Sequence, residues 1–290
     1  MAGEGCEHID LFEKLPQECI EEVVSRVGPM EVCRLSAVCK RFLSAAESDL
    51  VWDRFLPSDY QQLRDRADAF PNIKFAHKKD LFLFLIGNHV SMDGNTMCFW
   101  LSKRTGKKCF LTAISIVGDV EEVYFEDDGP YGWSRVKDER SSFICRIQGC
   151  FTLCEHVELF GIQGKMSTSV LSPNTTYTIY LVCHSRKYVL INNFDEPVEV
   201  SIAIDGVESI KHIVYLDRRK MRSKGDNDLR YPQQRKDDRF EVELGEYFNK
   251  GGGEVSLEIT MTEVRSGKFK SGPTMEGFEF RPIRSTNALS

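Results

Sequence analysis

The sequence lacks a long uncharged apolar run: no window approaches the roughly 18 residues that a membrane-spanning helix needs. It has little proline, 10 in 290 residues, and 41% of its residues are hydrophobic, which together exclude a collagen-like or wholly disordered chain. There is no excess of positive charge. Acidic side chains outnumber basic ones by 44 to 38, a formal net charge of −6, so nucleic acid is not an expected partner. Familiar catalytic signatures are missing as well: no G-x-S-x-G elbow, no phosphate-binding loop and no H-E-x-x-H. The six histidines are scattered without a nucleophile at informative spacing. A binding protein without a cofactor is therefore expected, rather than an enzyme. The stretch MAGEGCEHIDLFEK carries acids where a secretory signal carries basic residues and an apolar run, which predicts a cytoplasmic or nuclear protein.

Ten cysteines are present, and in an intracellular chain of this length they read mostly as reduced core thiols. Cys145, Cys150, Cys154 and His156 lack the paired spacing of a zinc site, so no metal is expected. Asn174-Thr175-Thr176 is a glycosylation sequon only in secreted proteins and is expected to stay bare. A chain this long exceeds one ordinary core, so two domains are expected. In the first, Ile20, Val23, Val24 and Val27 recur at helical spacing after Leu15-Pro16, and Gly28-Pro29 stops the run. A second helix places Val32, Leu35, Val38 and Phe42 on one stripe, and a third short element ends at Trp52, Phe55, Leu56 and Pro57. A unit of about fifty residues is near the size at which a core is marginal, so its leftover apolar surface should meet the rest of the chain or a partner.

The run LPQECIEEVVSRVGPMEVCRLSAVCKRFLSAAESDLVWDRFLP resembles an F-box, over residues 12 to 57. The opening Leu-Pro, the apolar helix, the Val-Cys-Lys-Arg-Phe run and the closing Leu-Val-Trp stand in the family's order. The resemblance implies a three-helix fold that binds the Skp-type adaptor of a cullin ubiquitin ligase through Leu15, Pro16, Ile20, Val24, Leu35, Val38 and Trp52 or their neighbours. Taken without the motif, the same apolar stripes read as an internal helical core.

Residues 58 to 96 read as a helical bridge, in which the row Leu81 to Ile86 packs the helical module against the second domain, making one rigid body. Beyond it the period changes to two. Val198, Val200, Ile202 and Ile204 alternate with Glu199, Ser201 and Ala203 and stop at Asp205-Gly206, a hairpin signal; Phe240, Val242 and Leu244 alternate with glutamates, and Val255, Leu257, Ile259 and Met261 alternate with Ser256, Glu258, Thr260 and Thr262. TYTIYLVC, at 176 to 183, is apolar or aromatic on both faces, as in a central strand. The fold class read here is α+β, a small helical module followed by an antiparallel β-sandwich. From Lys211 to Lys236, basic residues interleave with Asp217, Asp226 and Asp228, a solvated loop that is also long enough to contact an acidic partner.

The blocks CFWLSKRTGKKCFLTA, LSPNTTYTIYLV, RKDDRFEVELGEYFN and FKSGPTMEGFEFRPI make residues 97 to 283 similar to a phloem protein 2 or Nictaba-like lectin domain, and the whole chain resembles the plant F-box proteins that carry one. The resemblance implies a jelly-roll-like sandwich with a shallow site for N-acetylglucosamine oligomers or the core of N-linked glycans. Phe125 falls where the lectins have a tryptophan, with Tyr131 and Trp133 nearby; Ser256 falls where they have a glutamate, with Glu254 two residues before it and Glu263 at a second acidic position. These aromatics either stack on a ligand or client, or pack in the core. The expected function is a substrate-receptor subunit of an SCF-type ligase, the alternative being a stand-alone intracellular lectin.

Overall fold

A computed structural model describes residues 14–68, 70, 74–117, 160–184, 196–217, 230–237, 239–264 and 274–283, together with the backbone of four short strands between residues 125 and 153. Six helices come first: α1 (Gln17–Val24), α2 (Pro29–Leu35), α3 (Lys40–Glu47), α4 (Asp49–Asp53), α5 (Tyr60–Asp65) and α6 (Lys78–Gly87). Pro16 and Pro29 fix φ at the starts of α1 and α2, and the Ser48 hydroxyl accepts from Leu50 N to cap α4. The second helix predicted from Val32 to Phe42 is in fact two. Ser36 turns its hydroxyl back onto the Cys33 carbonyl, and Cys39 is fully extended, so the chain leaves the helix between them and Val38 stands 67% exposed. Among the described residues no helix is long and apolar enough to cross a membrane.

The strands are β1 (Val90–Met92), β2 (Met97–Leu101), β3 (Lys108–Thr112), β4 (Ser115–Ile116), β5 (Phe125–Glu126), β6 (Gly129–Pro130), β7 (Trp133–Arg135) and β8 (Phe151–Leu153). They continue with β9 (Gly161–Ser167), β10 (Thr175–His184), β11 (Val198–Ile204), β12 (Val207–Val214), β13 (Gln233–Gln234), β14 (Arg239–Asn249), β15 (Ser256–Glu263) and β16 (Thr274–Pro282). One sheet runs β1-β2-β3-β16-β10-β14-β13, with β8 and β7 attached beside β16; a second runs β12-β11-β15-β9-β4, and β5 and β6 pair as a separate two-stranded sheet. Every ladder in the two larger sheets is antiparallel. β15 buries Leu257, Ile259 and Met261 while its alternate residues stay half-exposed, the pattern of a strand with one wet face. β10 lies between β14 and β16 and buries residues on both faces, Tyr177, Ile179 and Leu181 on one and Thr178 and Val182 on the other. Asp205 and Gly206 both have left-handed φ, 48° and 78°, which gives the two-residue turn that joins β11 to β12. Gly164 is required where the sheets meet, because a Cβ there would lie 2.5 Å from the Phe278 ring.

One hydrophobic cluster extends without a break from Ile20 in α1 to Phe280 in β16. Leu81, Phe82 and Leu85 of α6 belong to it and join the helices to the sheets, as the apolar row predicted. The segment read as a helical bridge also contains β1. Its hairpin with β2 is held to the helices by Asp68, whose carboxylate accepts from Gly94 N, Asn95 N and the Ser91 hydroxyl. The cysteines divide differently from expectation. Cys109 and Cys183 are buried free thiols, but Cys19, Cys33 and Cys39 are exposed on the helical module. Cys98 is buried and disulfide-bonded. Cys145, Cys150, Cys154 and His156 lie outside the described residues.

Candidate functional site

The helical module presents the first candidate surface. Of the seven positions expected to meet an adaptor, Ile20, Val24 and Trp52 are 2%, 0% and 1% exposed, so they build the module and have no surface to offer a partner. Leu15 and Pro16 are exposed, Leu35 is half-buried, and Val38 projects into solvent. Val23, Leu43 and Leu50 are exposed too, and sequence reasoning had not separated them from the core. For Val23 a signal was present: Leu15, Cys19 and Val23 recur every fourth residue, a second apolar stripe beside the buried one of Ile20 and Val24. Leu43 and Leu50 carry no comparable signal.

The exposed stripe is firmly placed. Arg41 donates to the Leu15 carbonyl and accepts on its own carbonyl from Gln17 Nε2 at 3.2 Å, which ties the start of α1 to α3. Arg54 Nη1 reaches both carboxylate oxygens of Glu22 at 3.1 Å and the Ser25 hydroxyl at 2.6 Å, while Arg26 binds the same carboxylate at 2.7 Å. Hydrogen bonds from Arg26 and Arg54 hold the Glu22 carboxyl below its ordinary pKa.

The second candidate surface lies on the sandwich. Ser256 opens β15, its N–H donating to Asp205 Oδ1 at 2.8 Å, and the Ser167 hydroxyl donates to Glu254 Oε1 at 3.3 Å. Glu254 and Ser256 therefore share one end of the second sheet with the β11–β12 turn. Glu263 does not join them. It lies seven residues along β15, about 23 Å at roughly 3.3 Å per residue, on the inward face and 8% exposed. A small sugar cannot touch all three, and the inward-facing Glu263 is set apart from Glu254 and Ser256 in the group read from the sequence. Phe125 is placed in β5 opposite Pro130 and Trp133 in β7 opposite Leu153, but their side chains and the whole of Tyr131 lie outside the described residues. The basic segment from Lys211 to Lys236 is not a loop throughout: it begins inside β12, and Val214 bridges Arg230 where the chain returns.

Residues 12–54 match the F-box domain family, and residues 125–282, more than half of the chain, match the Phloem protein 2 family. The chain belongs to the phloem protein 2 family, with an F-box before it. It is 33% identical over 279 residues to the putative F-box protein PP2-B2 of Arabidopsis thaliana, covering 95% of this chain and 84% of the relative. It is 33% identical over 271 residues to the putative F-box protein PP2-B12 of the same plant, covering 93% and 98%, and 28% identical over 284 residues to F-box protein PP2-B10, covering 94% of each. The phloem protein 2 match starts at β5, yet its final strand, β16, pairs with β3, and β3 with β2. The F-box match ends at Arg54, while the buried Phe55 and Leu56 come directly after it. In this F-box phloem protein 2 chain the segment between the two matches completes the core of both.

Proposed function

We propose that the chain is a substrate-receptor subunit of an SCF-type cullin ubiquitin ligase. The exposed apolar face of the F-box docks the Skp-type adaptor, and the phloem protein 2 sandwich captures a protein or glycoprotein client in the cytoplasm or nucleus. The observation that carries this reading is the division of apolar residues in the module. It closes its own core around Ile20, Val24, Val32 and Trp52, yet leaves Leu15, Val23, Val38, Leu43 and Leu50 in solvent. Apolar surface kept outside a completed core marks an interaction site. The chain transfers nothing itself: holding a client beside the ligase's charged carrier raises the effective concentration of the reacting groups.

Leu15→Ala combined with Pro16→Ala is expected to weaken binding of a purified Skp-type adaptor about tenfold or more, since an interface anchor contributes roughly 1–2 kcal/mol. Circular dichroism should remain that of the wild type. Unchanged affinity would remove the start of α1 from the interface, and complete failure of the wild type to bind would favour the stand-alone lectin.

On the sandwich, Phe125 offers poorer stacking than the lectins' tryptophan and Ser256 lacks their charge. Contacts to the client therefore fall mainly on protein groups, with Tyr131, Trp133 and the segment from Lys211 to Lys236 as candidates. Calorimetric titration with the N-acetylglucosamine trimer is expected to give a dissociation constant weaker than about 100 μM. Tighter binding would show the sugar site to be intact and Glu254 sufficient for it.

A further inference from the structure

A cavity of about 500 Å³ lies where the helical module meets the sandwich, a volume within the range of small-molecule sites. Its wall takes residues from the end of α4 onward, from the β2–β3 turn, from the segment after β9 and from the β14–β15 loop. The wall has a distinct electrostatic character. Arg54, Lys107 and Lys108 line it against one carboxylate, Asp59, in a chain whose overall charge is −6. Lys107 is exposed and has no ion-pair partner among the described residues, and the same turn contributes Lys103 and Arg104 just outside.

Lys108 is the buried group of this site, 4% exposed. Its ammonium donates to Asp59 Oδ2 at 2.7 Å, its one hydrogen bond among the described residues, which leaves two N–H donors uncommitted. Across the cavity, Gly251 and Gly252 take left-handed φ of 78° and 90°, and a Cβ at Gly252 or Gly253 would touch nothing within 4 Å. Backbone without side chains therefore borders open space on this wall. The loop is anchored, because Asn249 Nδ2 donates to the carbonyls of Thr168, Leu171 and Ser172 while Asn249 Oδ1 accepts from Gly251 N. Arg54 has Nη1 committed to the Glu22 carboxylate and the Ser25 hydroxyl. The ammonium groups of Lys107 and Lys108 are the compact point charges of this wall, and such charges suit phosphate oxygens.

We propose that this cavity binds a small phosphorylated molecule, seated between the Lys107–Lys108 turn and the Gly251–Gly253 loop and touching both halves of the chain. The cavity is distinct from the exposed apolar face of the F-box, and its Gly251–Gly253 wall leads directly into Glu254 of the second candidate surface. Occupancy ties the two halves together, so ligand raises the unfolding temperature and continues to raise it with the logarithm of its free concentration above the dissociation constant.

The test is calorimetric titration of the full chain with sodium tripolyphosphate at low ionic strength, with inorganic phosphate, citrate and the N-acetylglucosamine trimer as parallel arms. Tripolyphosphate is expected to bind with a dissociation constant below about 100 μM, with citrate at least tenfold weaker and the sugar without effect at this site. Lys107→Glu and Gly253→Glu should each weaken tripolyphosphate at least tenfold. Both positions face solvent, so either variant alone suffices if the other misfolds. Lys236→Glu, beyond the opposite end of β14, should leave the affinity unchanged. A wild-type dissociation constant weaker than about 1 mM, or a loss in Lys236→Glu equal to that in Lys107→Glu, would overturn the site as diffuse charge attraction. Citrate binding as tightly as tripolyphosphate would overturn its assignment to phosphate.

Discussion

Trp52→Ala is expected to destabilise the chain by about 3–5 kcal/mol, the range for removing a large aromatic from a packed core. The indole is 1% exposed and lies edge-on to Phe55 at 5.7 Å and tilted against Phe82 at 5.2 Å. Its Nε1 donates to the Ala46 carbonyl at 2.7 Å. Because Phe82 belongs to α6, which packs on β2, the cavity left by truncation opens in the seam between helices and sheet as well as inside the F-box. Trp52→Phe keeps most of the ring contacts and loses the donor to Ala46, so about 1–3 kcal/mol is expected for it. Urea denaturation measures both. If Trp52→Ala kept full stability but lost the adaptor, the residue would return to the interface and its burial would need another explanation.

Asp59→Ala should have a comparable effect from a different cause. Its carboxylate is the counter-charge for Lys108, whose side chain is 5% exposed, and removing one partner of such a buried pair commonly costs about 3–5 kcal/mol. Burial already lowers the Lys108 pKa, with Asp59 opposing that shift. Without Asp59 the folded-state pKa falls further below the unfolded one. Between those two values the unfolded chain binds more protons than the folded chain, so the variant's stability rises with pH across the interval. The deficit relative to wild type is therefore largest near neutrality and shrinks toward alkaline pH, where Lys108 is neutral. Denaturation at pH 7 and pH 10 tests the sign. Adding Lys108→Met to Asp59→Ala should restore most of the loss, because it removes the stranded charge; no recovery would mean that Asp59 acts through backbone geometry instead.

Much of the sandwich could be read from the chain because strand alternation is a local signal. Val198 to Ile204 and Leu257 to Met261 each show one dry face, Asp205-Gly206 supplies the turn between paired strands, and the two-sided TYTIYLVC run can only be central. Short β1 and β4 carry no such pattern, since two or three residues acquire a register only from the strands they meet. The F-box face was legible as a region and not as residues. α1 has two apolar stripes, and which one turns inward depends on α3 and α4 lying against it, information that is absent from the helix itself. Trp52 is buried by Phe82, thirty residues further along, and no local spacing encodes that meeting. The resemblance to lectins grouped Glu254, Ser256 and Glu263, but an extended strand carries its ends apart and alternates its faces, so Glu263 lies away from Ser256.

In the receptor role proposed above, the unbroken hydrophobic cluster from α1 to β16 makes the chain a gauge rather than a tether. A client held on a flexible linker would sweep many positions before the ligase's carrier, and most of its surface lysines would come within reach in turn. A client held on a continuous core is presented in nearly one pose. Which lysine receives ubiquitin then depends on where the client's own fold places that lysine relative to the patch gripped by the sandwich. Two clients gripped with equal strength but differing in the position of a single lysine would meet different fates.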